Sequence, residues 1–252
     1  MCNLTGDLMM DVYLGDINKR YGELAEMSPE RWELTDRGSF GILKNYLPHT
    51  YEKLVEEGKI IQRENYGLFN TGLFTKNYEL IYAYLEPNIA SGSQPFYLKA
   101  FLTEYDLGRK GIDELPERAN YFSDPGLLIF DANCRIKVQY SHILEDSKNL
   151  ERLPLEVQNA KNLIPLFNGA LDMMKKKVSA NYRIAIPQYY NKTIQLLLPL
   201  CLLDQEIPDT ALVVSKDPSG TFYQGHTCLT LEMAYSNARL IAKPESNWLQ
   251  LV

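Results

Sequence analysis

Thr193–Leu200 (TIQLLLPL), Ala211–Ser215 (ALVVS), Lys216–Gly220 (KDPSG) and Thr221–Gly225 (TFYQG) are the segments whose reading decides the fold class. Two apolar runs, a turn carrying Pro and Gly, and an aromatic run read as successive strands. The last two are joined too tightly for a parallel pair, which needs a crossover of a dozen or more residues. A helix from about Leu231 to Ile241 follows them.

The pattern holds on moving outward. Leu163, Leu166, Phe167, Ala170, Leu171, Met174 and Val178 form a helical stripe, and Pro165 suits a first turn, so a helix is predicted from about Ile164 to Asn181. ELIYAYL (79–85), FYLKAFLT (96–103), GLLIF (126–130) and CRIKVQY (134–140) read as strands, the last running into a short helix around SHILEDS (141–147). Nearer the N-terminus, Leu47, Tyr51, Leu54 and Val55 fall at i, i+4, i+7 and i+8, and Gly58 supplies the stop. KIIQ (59–62) and YGLFN (66–70), around a polar turn, add a hairpin. The expected class is α+β: mainly antiparallel strands with packed helices and a helix–hairpin corner near the N-terminus. Residues 1–40 read as an acidic, irregular extension. Residues 41–252 read as a single domain divisible into lobes 41–156 and 157–252, with no internal repeat in the sequence.

Composition excludes several classes. The 252 residues are 45% hydrophobic and 23% charged, as in an ordinary globular chain. The densest apolar stretch, Ile194–Leu203, is interrupted by Gln195 and Pro199, short of the ~18 residues of a membrane span. The opening MCNLTGDLMMDVYLGD has no basic residue and so does not read as a secretory signal. Cys2, Cys134, Cys201 and Cys228 lie far apart with no CxxC pair, which reads as buried thiols in a reducing, cytoplasmic setting. No phosphate-loop or dinucleotide fingerprint occurs, and no cofactor is expected.

The net charge of −6 excludes a broad basic coat, yet it is unevenly spread. Residues 157–203 hold six basic side chains against one acidic, and they contain the most aromatic polar stretch, NYRIAIPQYYNK (181–192). Rings beside cations and amides suit a single-stranded nucleic acid or a nucleotide, because bases stack on the rings while cations hold phosphate. Gln188, Tyr189 and Tyr190 would read and stack on a base. Arg183, Lys192, Arg118 and Arg239 would hold phosphate. Asn70 and Asn237 would supply amide contacts, and the loop Leu115–Tyr121 would contribute Asn120 and Tyr121 beside Arg118. Asn237 stands out because it falls on an otherwise apolar half of the last helix. The same residues also fit a solvated helix end and internal packing.

A second cluster, Asp131, His142 and Glu145, supports an alternative reading as a metal-dependent hydrolase of RNA or a nucleotide, since His142 and Glu145 are three apart on a predicted helix. A third reading is a protein-interaction scaffold. No Ser/His or Cys/His catalytic motif is recognisable.

Taken in order, KNYLPHTYEKLVEEGKI (44–60), LFNTGLFT (68–75), NYELIYAYL (77–85), LPERANYFSDP (115–125), HILEDS (142–147), NYRIAIPQYYNKTIQLLLPLCL (181–202), ALVV (211–214) and TCLTLEMAYSNARLIAKPESNWL (227–249) resemble the OST-HTH (LOTUS)-associated domain family. That is an uncharacterised bacterial domain. The resemblance covers about residues 40–250 and implies a role in RNA metabolism, through the RNA-binding modules that neighbour the family. It implies no catalytic residue. The chain departs from the pattern in lacking an OST-HTH module of its own and in carrying His226 where the family is expected to carry a basic residue such as Arg. The expected partners are therefore short single-stranded RNA or a nucleotide, no membrane, and a protein chain carrying an RNA-binding module.

Overall fold

The computed structural model describes residues 2–35, 38–89, 94–245 and 248–249. The chain forms two compact units, residues 1–120 and 121–252. The division differs from the expected boundary at 156/157, and residues 1–40 are no loose extension. They supply α1 (Leu8–Asp11), the edge strand β1 (Val12–Tyr13) and α2 (Ile17–Met27) to the first unit. They are tied down by the buried Leu8, Val12, Tyr21, Leu24 and Trp32, by the pairing of β1 with β5, and by Asp11, buried to 1% exposure. Its carboxylate accepts from the Thr5 and Gly6 N–H groups, the Thr5 hydroxyl and the Tyr51 hydroxyl, the last at 3.1 Å. A buried carboxylate survives only with such a full set of donors.

The first unit continues with α3 (Gly41–Glu56), β2 (Ile61–Gln62), β3 (Gly67–Phe74), β4 (Leu80–Pro87), β5 (Phe96–Thr103) and α4 (Glu104–Gly108). Gly58, at φ +65°, follows the end of α3 as expected of a glycine stop. β2–β5 form an antiparallel meander, and β1 lies parallel to β5, so the sheet order is β1-β5-β4-β3-β2. Alternate residues of β3 serve opposite faces. Phe69 meets Tyr51 of α3 edge-on at 5.2 Å, whereas Leu68 packs with Tyr82, Leu107 and Ile112 on the α4 side.

The second unit runs through a 3₁₀ turn (Pro125–Leu128), β6 (Arg135–Val138), a π turn (Ser141–Glu145), α5 (Ser147–Leu150), α6 (Leu155–Gln158) and α7 (Leu163–Ala180). A second 3₁₀ turn (Tyr182–Ile184) leads to β7 (Ile186–Tyr190), β8 (Thr193–Leu200), β9 (Thr210–Lys216), β10 (Phe222–Leu229) and α8 (Leu231–Ala238). The GLLIF segment is the 3₁₀ turn rather than a strand. The Asp124 carboxylate accepts from Gly126 N–H, Pro125 favours the turn, and of the apolar run only Phe130 is buried, stacked 4.5 Å from Tyr223. β8 is buried on both faces. Leu196, Leu198 and Leu200 pack with Phe167, Met174 and Val178 of α7, while Gln195 and Leu197 alternate onto the opposite face.

The two units repeat one topology. β7–β10 form an antiparallel meander with β6 parallel to β10, giving the order β6-β10-β9-β8-β7. In each unit the first strand begins opposite the first residue of the last strand, Val12 opposite Phe96 and Arg135 opposite Phe222. Each last strand passes directly into a helix capped by threonine: Thr103 accepts from Asp106 N–H, and Thr230 accepts from Met233 N–H. The sequence trace of this repeat is slight: Phe96-Tyr97 … Leu102-Thr103 against Phe222-Tyr223 … Leu229-Thr230.

Candidate nucleic-acid interface

Within the first unit, the structure groups Asn70 and Arg118 around a bulge in β3. Asn70 Oδ1 accepts from Gly72 N–H at 2.9 Å, and its Nδ2 donates to the Pro116 carbonyl at 3.2 Å. Gly72 is required there: φ is +76°, and a Cβ would stand 2.6 Å from the Tyr46 hydroxyl. Arg118 donates to the Gly72 carbonyl and lies 4.9 Å over the Phe74 ring. Asn120 N–H donates to the Glu57 carboxylate. Burial raises the Glu57 pKa, but hydrogen bonds from Lys59, Asn120 N–H and Lys53 outweigh it and hold the carboxyl below its usual range. Asn70, expected to supply amide contacts to a ligand, is 1% exposed and serves the fold.

Within the second unit, Gln188 is corrected most clearly. It is 2% exposed, donates to Gln195 Oε1 at 2.8 Å and accepts from Asn237 Nδ2 at 3.1 Å. This amide relay joins β7, β8 and α8 on the face opposite α7. It explains the half-buried Asn237 on its apolar helix half, because the buried Gln188 amide must be satisfied internally or cost about 1–3 kcal/mol. Tyr189 is half-buried and meets the Tyr121 ring edge-on at 4.9 Å. Arg239, expected to hold phosphate, is buried at 5% exposure at the C-terminal cap of α8. Tyr190 is 54% exposed at the β7–β8 hairpin, whose central residues Asn191 and Lys192 both have positive φ, as a tight I′-type turn requires.

Arg183 borders two cavities. It is exposed in the 3₁₀ turn between α7 and β7 and lies 5.9 Å from the Tyr182 ring; the hydrogen bond to Tyr182 raises its pKa. One adjoining cavity, of about 590 Å³, is lined by Lys177, Asn181, Arg183, Glu206, Glu245 and Trp248, among others. A second, of about 420 Å³, is lined by Phe122, Arg183, Pro187, Lys243 and Glu245, among others. Trp248 is held by donation from its ring N–H to the Ile184 carbonyl at 2.8 Å, and Lys177 lies 3.7 Å from Glu206. Sequence reasoning passed over Phe122, Asn181, Glu245 and Trp248. Asn181 sat inside the quoted basic segment, whereas nothing in the sequence connects Trp248 or Phe122 to it.

The proposed metal ligands do not gather. Among the described residues no group of three or more His, Cys, Asp and Glu side chains is placed to hold a metal ion. Asp131 closes a local turn, accepting from Asn133 N–H and from the Cys134 thiol. His142 and Glu145 lie on a π turn, not an α-helix, so their i, i+3 spacing does not stack them on one face.

A family model described as "Domain of unknown function (DUF3825)" matches residues 24–248. The chain belongs to the DUF3825 family. No curated protein and no solved structure matches it. The match bears out an uncharacterised domain of unknown function; its description names no OST-HTH or LOTUS module, so the expected role beside RNA-binding modules rests on the sequence resemblance alone. Among the described residues of this DUF3825 chain, no helix is long and apolar enough to cross a membrane.

Proposed function

We propose that this DUF3825 domain binds single-stranded RNA or a nucleotide through its second unit, at the paired cavities around Arg183. The observation that carries the reading is that one exposed guanidinium borders two adjoining cavities whose walls include the rings of Trp248 and Phe122. A cavity of about 590 Å³ lies in the range of small-ligand sites, and it joins cation, amide and ring in one place. Arg183 and Lys177 supply the charge for phosphate, Asn181 and Glu245 the polar edge for a base, and Trp248 the flat surface. The acidic Glu206 and Glu245 favour a ligand with N–H donors, such as a base edge, over bare phosphate.

The compartment belongs to the same proposal. Cys2, Cys134, Cys201 and Cys228 are all free, in keeping with a reducing cytoplasm, and the resemblance to a domain that neighbours RNA-binding modules favours action beside a partner chain of that kind.

The test is fluorescence anisotropy of a labelled 12-nucleotide RNA against the full chain at several salt concentrations. Single-stranded RNA is expected to bind more tightly than duplex, with affinity falling as salt rises. Arg183→Ala is expected to weaken binding at least tenfold. Equal affinity of the wild-type and Arg183→Ala chains overturns the site.

A further inference from the structure

A different part of the second unit draws together two of the chain's three histidines. β6 pairs with β10 from Arg135 opposite Phe222 to Val138 opposite Gly225, and there two irregularities meet. β10 bulges between Gly225 and Thr227, leaving His226 without a partner in β9. The chain leaving β6 closes the π turn that carries His142. Bulges re-aim a side chain, and π turns recur at functional sites.

Hydrogen bonds lace the two together. Asn149 donates to the His142 carbonyl at 2.9 Å and accepts from the Thr227 hydroxyl at 2.9 Å. Arg152 Nη1 donates to the same Thr227 hydroxyl at 3.0 Å and to the Cys228 carbonyl at 3.2 Å, on β10 beyond the last residue that pairs with β6. Across the ladder, Ser215 Oγ and His226 Nε2 are 2.6 Å apart. Burial, and after it the neighbouring His142, lowers the His226 pKa.

Counting donors shows what the cluster would hold. If Ser215 donates to His226, the ring keeps its Nδ1–H; if His226 donates to Ser215, the hydroxyl keeps its proton. Either way the pair has one donor to spare. Arg152 uses only Nη1, and among the described residues no carboxylate pairs with it. A half-buried arginine with no carboxylate partner among the described residues, bonded to Thr227 beside the His226 bulge and linked through Asn149 to the turn that carries the exposed His142, is complementary to an oxyanion.

We propose that Arg152, His142, His226 and Ser215 form a binding site for a phosphate group. The site is separate from the Arg183 cavities and does not depend on the function proposed for them. Its phosphate would come from an RNA chain or from a free phosphate or phosphate ester.

The test is NMR of the histidine side chains in the full chain during titration with inorganic phosphate at constant ionic strength. His142 and His226 signals are expected to shift saturably, while His49, beside Glu52 on α3, stays still. Chloride is expected to produce no such shift. Arg152→Gln should weaken phosphate binding at least tenfold and Ser215→Ala about threefold. Because Arg152 also satisfies β10, Ser215→Ala serves if Arg152→Gln fails to fold. The response should persist in Arg183→Ala, which separates failure of this site from failure of the cavity reading. Competition by short oligoribonucleotides identifies a chain phosphate; phosphate binding without such competition identifies a small ligand. Shifts that chloride reproduces, that include His49 equally, or that survive both substitutions unchanged overturn the proposal.

Discussion

In the first unit the last strand bulges at Lys99, whose ammonium goes to Glu86 at 3.2 Å; in the second the last strand bulges at His226, which meets Ser215. The scaffold is the same, with a four-strand meander, a parallel edge strand and a threonine-capped helix leaving the last strand. The use made of it differs. The first unit carries 13 basic and 19 acidic residues, so the whole negative balance of the chain sits there, while the second carries 13 of each. Around the β3 bulge of the first unit, Asn70 and Arg118 are spent on neighbouring carbonyls and a ring. Among its described residues, the second unit leaves Arg183 beside open cavities and Arg152 without a carboxylate. Topology is thus no guide to where chemistry sits; local charge balance and unspent donors are.

Each unit holds one tryptophan, Trp32 in the first and Trp248 in the second, so single-tryptophan variants read the two separately. The largest expected effect is Phe167→Ala, which empties the middle of the α7 face and should cost ~3–5 kcal/mol in the urea transition reported by Trp248. An equal loss in the Trp32 transition would show that the repeats unfold together. Asp11→Ala should cost roughly 3 kcal/mol in the Trp32 transition, because it strands buried backbone donors and the Tyr51 hydroxyl. Next comes Gly72→Ala, at about 1–3 kcal/mol, from positive φ and the approach of Tyr46; no change in midpoint would mean that β3 can shed its bulge.

Smaller effects sharpen the contrast between packing and binding. Asn237→Ala should cost about 1 kcal/mol in chemical denaturation and leave RNA affinity alone, whereas Arg183→Ala should do the reverse. If Asn237→Ala removed RNA binding without loss of stability, the amide relay would be a ligand site after all. The least effect belongs to Glu57. Its lowered pKa means that the folded state favours the carboxylate, so its contribution is present above the ordinary pKa of 4.5 and is lost as pH falls through the lower folded value. In Glu57→Gln that part of the acid dependence should disappear from the Trp32 transition.

The elements that the sequence made legible were those with strong periodicity. The stripe from Leu163 to Val178 is α7, nearly to its ends, and TIQLLLPL, ALVVS, ELIYAYL and FYLKAFLT are strands. GLLIF failed because an apolar run says nothing about whether a partner strand exists. The first 40 residues looked irregular because their order rests on long-range partners: apolar residues such as Leu8, Val12, Tyr21 and Leu24 buried without a long periodic run, β1 paired with β5, and Asp11 with a donor 40 residues away in sequence. The site was legible in part. The excess of cations around Arg183 was visible, but the best-looking base readers were not what they seemed. Gln188 and Asn237 are polar because each must satisfy the other, and a sequence cannot separate an amide aimed at a ligand from one aimed at a neighbour 49 residues away.

By itself, then, the sequence determined the α+β class, the long helix before each meander and the strands built on alternating or continuous apolar runs, since these depend on local periodicity and burial. Tertiary structure alone decided the division at residue 120, the repeat of one strand order in two units whose sequences scarcely match, and the pairing of Ser215 with His226 at a bulge. Those features are long-range. Strand order is set by which edges find partners, and many sequences satisfy the same order. Whether a polar side chain has donors to spare depends on every group that folding brings within about 3 Å of it.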